Sequence, residues 1–182
     1  MSDTICIVMK RRNIIFWIIL LIITDQVVKL IVYHSFMDSN YTFTPDLLEF
    51  KPIFNPTYSY WTGKLGANMG VVAHLTMFSL IWAILIILYK FYHKVDPQNR
   101  LLDIALIFQT AGFASAYISI LFWKNGVLDF ISFKPLNVVC DLKDLYINIF
   151  VALWIISTSI IAVKYHTSLK DIVQYIKSLF TK

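Results

Sequence analysis

Four long runs of apolar residues dominate this chain of 182 residues. A helix needs about 20 mostly apolar residues to cross the hydrocarbon core of a membrane. Four stretches are long enough, at residues 14–33, 70–88, 101–123 and 145–163. Apolar residues make up 58% of the sequence, and a soluble core cannot hide this excess because a chain of this size leaves roughly a third of its unfolded surface exposed. The sequence predicts a single all-α integral membrane domain over residues 1–182 with four transmembrane helices.

The positions of the basic residues predict the orientation of these spans. Ten of the sixteen lysines and arginines lie before the first run, between the second and third, or after the fourth, together with four acidic residues. The opposite side carries six basic and seven acidic residues. Because cytoplasmic loops carry the excess of basic residues, we expect both termini in the cytoplasm and the loops after the first and third spans outside. The basic residues flank membrane runs, so no nucleic acid partner is expected.

The segments outside the spans carry weaker patterns. The outer loop at residues 34–69 contains a short alternation of polar and apolar residues at 41–44, which predicts a small extracytoplasmic β-structure. In the cytoplasmic tail at residues 164–182, apolar residues recur at helical spacing among charged ones. This pattern predicts a helix that lies on the membrane surface.

Two ionisable residues fall inside the first apolar run. Asp25 and Lys29 are four residues apart and so share one face of a helix. Each costs about 2.5–3.5 kcal/mol at a helix centre, so each must be compensated or used. One interpretation is a buried pair that supports a site; the other is a mutually neutralised pair that reaches toward the outer surface.

Three aspartates lie at the outer ends of the third and fourth runs. Asp129 follows the third run in an apolar context, and Asp141 and Asp144 come just before the fourth run. One of the latter two is expected to cap the helix, which leaves the other and Asp129 without a structural explanation. Two carboxylates close together share one proton and can serve an aspartic-type hydrolase. No HExxH or GxSxG motif and no histidine or cysteine cluster is present, so no metal site is predicted.

These residues resemble the motifs of bacterial lipoprotein signal peptidase (signal peptidase II). The family's DQxxK motif in the first helix is matched by TDQVVK at residues 24–29, and its VxDFI segment by VLDFI at residues 127–131. Asn55 lies where the family has the asparagine of an NxGxxF motif, although the glycine is absent and Tyr60 replaces the phenylalanine. The resemblance implies that Asp129 is one catalytic aspartate.

The second catalytic aspartate belongs to an FNxADxxI motif, to which CDLKDLYI at residues 140–147 is similar. This register places Asp144 at the catalytic position and Asp141 at the asparagine. Taking Asn137 as the motif asparagine would make Asp141 catalytic, but it needs an extra residue and loses the DxxI spacing, so Asp144 is preferred. The family's GNxxDR segment has no counterpart, because residues 111–123 contain no Asn, Asp or Arg. Either another set of residues supports the site or the activity is weakened.

The resemblance implies a monomeric aspartic endopeptidase of the bacterial cytoplasmic membrane that needs no cofactor. It would remove signal peptides from diacylglyceryl-modified prolipoproteins at the outer face, with the prolipoprotein and membrane lipids as partners. The alternatives are a catalytically silent homologue and a small four-helix membrane binding or transport protein. The residues expected to act are the catalytic Asp129 and Asp144, and the supporting or substrate-binding Asp25, Lys29, Asn55 and Asp141.

Overall fold

A computed structural model describes residues 11–58, 64, 66 and 70–181. Lys10, which entered the charge count, and Tyr60, which entered the motif comparison, lie outside the described residues. The helices are α1 (Arg11–Ser35), α2 (Val71–Val95), α3 (Arg100–Phe122), α4 (Leu142–Tyr165) and α5 (Leu169–Phe180). The strands are β1 (Tyr41–Thr44), β2 (Leu48–Asn55), β3 (Val127–Phe133) and β4 (Val138–Cys140).

The helices α1 to α4 correspond to the four apolar runs. In the described part of the chain, these four are long and apolar enough to cross a membrane. The predicted fold class, a helical membrane protein with a small β region, is confirmed. The helix α2 ends at Val95, seven residues beyond the predicted end of its span, because Pro97 is the first residue that resists a helical continuation.

The third helix lies at the centre of the bundle. It packs against α1 and α4, and its buried residues include Ala105, Ala111, Gly112 and Ala116. Small residues let helix backbones approach closely in a membrane, where the hydrophobic effect does not drive helices together. At Gly112 the approach is close enough that a Cβ would lie 2.8 Å from Ile147 Cγ1 of α4. The packing of α3 therefore fixes α1 and α4 relative to each other.

The four strands form one antiparallel sheet in the order β1-β2-β3-β4. The β-structure predicted within residues 34–69 is present as β1 and β2. The strands β3 and β4 lie between α3 and α4, where none was predicted. In the pairing of β2 with β3, Asn55 lies opposite Val127 and Ile53 lies opposite Asp129. Because diagonal neighbours on paired strands are within reach of each other, this register brings Asn55 to Asp129.

A glycine allows α3 to turn sharply into β3. Gly126 has a φ of +105°, and a Cβ there would collide with the backbone carbonyl of Asn55. We expect Gly126→Ala to destabilise the protein by about 1–3 kcal/mol, because it forces a strained backbone and pushes β2 away from β3. The melting temperature in detergent measures this loss. Gly70→Ala is the matched control, since a Cβ at Gly70 meets nothing within 4 Å; equal melting temperatures for the two variants would contradict the argument.

The helix predicted within residues 164–182 is present as α5. It begins after Ser168, whose backbone N–H and hydroxyl both donate to the Asp171 carboxylate at 2.7 Å. Its apolar Leu169, Val173 and Phe180 are exposed. The helical part of the prediction is therefore confirmed, while its position on the membrane surface stays a prediction.

Candidate active site

The six residues singled out from the sequence lie together where the sheet meets the helices. Asp25 and Lys29 come from α1, and Asn55 from the end of β2. Asp129 comes from β3, while Asp141 and Asp144 flank the start of α4. These elements are distant in sequence, so the tertiary fold creates the cluster. Lys143 also lies among the six residues, with its Nζ 2.9 Å from Asp141 Oδ2. We call these seven residues the acidic cluster: Asp25, Lys29, Asn55, Asp129, Asp141, Lys143 and Asp144.

Lys29 is the fully buried cation at the base of the acidic cluster. Its Nζ lies 2.8 Å from Asp25 Oδ2 and 2.7 Å from Asp141 Oδ2, and it donates to the Ser119 hydroxyl of α3 at 2.7 Å. The Lys29 ammonium thus donates to Asp25 and Ser119 and forms an ion pair with both buried carboxylates. Of the two interpretations of the Asp25–Lys29 pair, the structure therefore supports the buried pair.

Asp25 joins α1 to the first turn of α4. Its Oδ1 accepts a hydrogen bond from the backbone N–H of Lys143 at 3.2 Å, while Gln26 Nε2 donates to its Oδ2 at 2.8 Å. The first N–H groups of a helix have no partner within the helix, and a carboxylate near them is favourable. Asp25 thus supplies from another helix a cap that fixes where α4 begins.

The first turn of α4 is held by a reciprocal pair of aspartates. Asp141 is the N-cap, and its Oδ1 accepts from the backbone N–H of Asp144 at 3.2 Å. The Asp144 Oδ2 accepts in turn from the backbone N–H of Asp141 at 3.2 Å. Such a capping box satisfies two otherwise unpaired donors. The cap expected at one of these aspartates is Asp141, which is fully buried, whereas the Asp144 side chain is 36% exposed.

Asp129 is buried with one oxygen bound and the other unsatisfied. Asn55 Nδ2 donates to its Oδ2 at 3.2 Å, whereas its Oδ1 has no hydrogen-bond partner among the described residues. Burial raises the pKa of Asp129 to about 7, against the opposing effect of the Lys143 ammonium. A buried carboxylate oxygen without a donor is costly. Asp129 is thus suited to hold a proton near neutral pH.

Asp141 has the opposite electrostatic character. Burial alone would raise its pKa, but the ammonium groups of Lys143 and Lys29 outweigh burial and hold the pKa of Asp141 below its usual value. Its Oδ2 lies 2.9 Å from Lys143 Nζ and 2.7 Å from Lys29 Nζ. An opposite charge at this distance favours the ionised form of a carboxylic acid. Asp141 is therefore a member of the acidic cluster whose surroundings favour the ionised form.

Three of these acids lie close enough to share one small cation. Asp129, Asp141 and Asp144 each contribute an oxygen, and these oxygens lie within 4.8 Å of one another. The Lys143 Nζ already contacts all three acids, at 3.8, 2.9 and 3.2 Å respectively. A divalent cation would therefore have to compete with an ammonium that the chain itself supplies.

Sequence reasoning missed Lys143, Gln26 and Ser119. For Lys143 a signal existed in the sequence. A cation in the first turn of a helix is unfavourable to the helix dipole, and Lys143 lies between Asp141 and Asp144, which indicates that its charge is paired. Gln26 lies in the segment that matches the DQxxK motif, which was a signal for it, whereas the role of Ser119 depends on the packing of α1 against α3.

An apolar cleft opens beside the acidic cluster. It has a volume of about 730 Å³ and lies between α1, the end of α3 and β2. Gln26, which donates to Asp25, forms part of its wall, and Trp123 Nε1 donates to Gln26 Oε1 at 3.4 Å. The cleft is lined mainly by apolar and aromatic side chains, including Leu30, Tyr33, Phe54, Ile118, Phe122 and Trp123.

The fold and the site together define a four-helix membrane protein with a buried acidic centre beneath a small sheet. The model of the family described as "Signal peptidase (SPase) II" matches residues 17–160 of this chain. The chain therefore belongs to the signal peptidase II family, and this membership makes it a membrane signal peptidase.

Two solved structures share the fold. Both are described as bacterial membrane enzyme structures obtained by the in meso method, one at 1.9 Å and one at 2.3 Å resolution. The first is 22% identical with a TM-score of 0.62, and the match covers 81% of this chain and 93% of that one. The second is 21% identical with a TM-score of 0.62, and covers 81% and 88%. No curated protein sequence matches this chain.

Proposed function

We propose that this protein is an aspartic endopeptidase that removes signal peptides from diacylglyceryl-modified prolipoproteins at the outer face of the bacterial cytoplasmic membrane. The observation that carries the proposal is the approach of Asp129 and Asp144, which come from different elements and offer oxygens within 4.8 Å of each other. Like charges this close disfavour double ionisation, so such a pair holds one proton. Belonging to a peptidase family supports the same chemistry.

The environments of the three aspartates support this assignment of roles. Asp141 is bound by two ammonium groups and stays ionised, so it is a poor partner for proton exchange. Asp129 has a pKa of about 7 and a free oxygen, and Asp144 is the partly exposed carboxylate beside it. The catalytic pair is therefore Asp129 and Asp144, with Asp25, Lys29, Asn55 and Asp141 as support.

The reaction follows from a pair that holds one proton. The ionised carboxylate removes a proton from a water molecule as its oxygen attacks the scissile carbonyl carbon, and the protonated carboxylic acid donates to the carbonyl oxygen. The tetrahedral intermediate is a gem-diol. As its C–N bond breaks, the carboxylic acid that took the water proton donates it to the leaving nitrogen, and the other carboxylate takes a hydroxyl proton as the carbonyl forms again. The pair ends with one proton, as it began. The apolar cleft beside the site is suited to the acyl chains of the substrate.

A cleavage assay with defined precursors tests the substrate. The purified protein in detergent is expected to cleave a precursor that carries a diacylglyceryl-modified cysteine, and to leave the same precursor unmodified intact, because the acyl chains hold the scissile bond at the membrane surface. Mass spectrometry of the products locates the cut. A modified precursor that binds without being cut would identify a silent homologue, and equal cleavage of both precursors would contradict the lipid requirement.

The orientation has its own test. We propose that both termini are cytoplasmic and that the sheet lies outside. Reporter fusions after Tyr92 and after residue 182 are expected to read cytoplasmic, and fusions near Lys51 and Asn125 to read external, because the basic residues concentrate on the first side. A cytoplasmic signal near Asn125 would place Asp129 on the wrong side and contradict the peptidase proposal.

A further inference from the structure

Lys143 is a buried cation that the proposed reaction does not use. Its side chain is 7% exposed, and its Nζ lies 2.9 Å from Asp141, 3.2 Å from Asp144 and 3.8 Å from Asp129. A lysine is almost never buried unless it is paired, and this one is paired with both proposed catalytic acids at once. Its charge must therefore influence the proton that those acids share.

Counting the charges shows what Lys143 balances. The acidic cluster contains four carboxylates and two ammonium groups. Lys29 forms ion pairs with Asp25 and Asp141, whereas Lys143 is the cation that contacts Asp129 and Asp144 as well as Asp141. If Lys143 balances the ionised Asp141, the catalytic pair of Asp129 and Asp144 keeps its own charge. That charge is a single negative one, because the two carboxyl groups hold one proton between them. Without Lys143 the same site would bury one more uncompensated negative charge, which is costly.

Asp141 and Lys143 both differ from the residues of the family motif. The FNxADxxI pattern has an uncharged asparagine and an uncharged alanine at the positions that Asp141 and Lys143 occupy here. The two changes introduce one negative and one positive charge, so together they leave the net charge beside the catalytic pair unchanged. Residues 111–123 of the third helix carry no charged residue, so the charge of Asp141 is not compensated from that segment.

We infer that Asp141 and Lys143 form a compensated ion pair that sets the protonation of the Asp129–Asp144 pair, with Lys143 acting as a positioning residue. The inference rests on the proposed aspartic mechanism. The titratable and charged groups around Lys143 come from four parts of the fold. They are Asp25 and Lys29 of α1, Asp129 of β3, Cys140 at the end of β4, and Asp141 and Asp144 at the start of α4.

The test is the pH profile of cleavage for four proteins: the parent, Asp141→Asn, Lys143→Ala and the double variant. Lys143→Ala is expected to shift the profile upward by about 1–3 pH units, because the carboxylates lose a cation that favours their ionised forms. Asp141→Asn is expected to shift it downward, because Lys143 then acts on the catalytic pair alone, while asparagine keeps the helix cap. The double variant should return close to the parent profile.

A control and a second measurement keep the inference falsifiable. Lys134→Ala removes a lysine of the same sheet region that pairs with Glu49 at 2.7 Å, and it should leave the pH profile in place. Melting temperatures of the four proteins form a cycle in which both single variants are less stable and the double variant recovers part of the loss. Single variants that shift in the same direction, or a double variant no closer to the parent, would overturn the inference.

The two measurements also separate this inference from the proposed function. A parent protein that fails to cleave the modified precursor would contradict the proposed function, and the melting cycle would then decide whether the charges are compensated. If the parent cleaves but the pH profiles of the Asp141 and Lys143 variants equal that of the parent, the result contradicts this inference and leaves the proposed function standing. If Asp141→Asn and Lys143→Ala both fail to fold, the double variant decides the question. A double variant that also fails to fold would overturn the inference.

Discussion

Asp129→Asn and Asp144→Asn are each expected to reduce cleavage of the lipid-modified precursor by about 100- to 10,000-fold, since a positioned acid or base typically contributes that much. Neither amide can exchange a proton with water or with the scissile carbonyl, so either change removes the one-proton pair. Both variants should stay inserted and folded, because asparagine has nearly the same shape as aspartate. Product formation under single-turnover conditions measures the effect.

Two further aspartate variants make this result interpretable. Asp141→Asn should retain cleavage with a shifted pH profile, because the proposed mechanism gives Asp141 a supporting role. Asp38→Asn, at an exposed position in the loop after α1, is the matched control and should behave as the parent. If Asp141→Asn were inactive while Asp144→Asn cleaved normally, Asp141 would be the second catalytic residue. Activity in all three variants, Asp129→Asn, Asp141→Asn and Asp144→Asn, would refute the aspartic mechanism.

Lys29→Ala is expected to cost about 3–5 kcal/mol of stability, the range observed when one partner of a buried ion pair is removed. The Lys29 ammonium contacts two buried carboxylates and a hydroxyl, so its loss leaves Asp25 uncompensated and Asp141 with one cation. Asp25→Ala should cost less, because Lys29 keeps Asp141 as a partner. Thermal unfolding in detergent compares the variants.

The double variant Asp25→Ala with Lys29→Ala should recover part of the stability lost by Lys29→Ala, because it removes the carboxylate left unpaired. Lys51→Ala is the control, as Lys51 is an exposed lysine on β2 and exposed ion pairs contribute little. A Lys29→Ala melting temperature equal to that of Lys51→Ala would refute the structural role of the buried pair.

The helical part of this protein could be predicted from its sequence because each span is a local feature. An apolar run of about 20 residues predicts a membrane helix without knowledge of its neighbours. The spacing of Asp25 and Lys29 similarly predicts a shared helix face. Of the sheet, only the alternation near Tyr41 gave a local signal.

The strand β3 could not be predicted in this way. Its sequence VLDFISF is apolar on both faces, and most of its residues are buried, so it lacks the alternation that reveals a strand with one exposed face. It forms because it pairs with β2, more than 70 residues earlier. The contact between Asn55 and Asp129 depends on that pairing, and so does the burial that raises the pKa of Asp129. Motif resemblance placed these residues in one site but could not supply their contacts.

The cap that Asp25 provides for α4 has a consequence for biogenesis. Helix α1, which carries Asp25 and Lys29, leaves the ribosome before α4, which brings their partners Asp141 and the Lys143 N–H. A nascent chain that has inserted α1 to α3 but not α4 therefore lacks Asp144 and the Lys143 ammonium. Proteolytic capacity would appear in one step, when α4 docks against α1, and a half-made chain would be unable to cut its neighbours in the membrane.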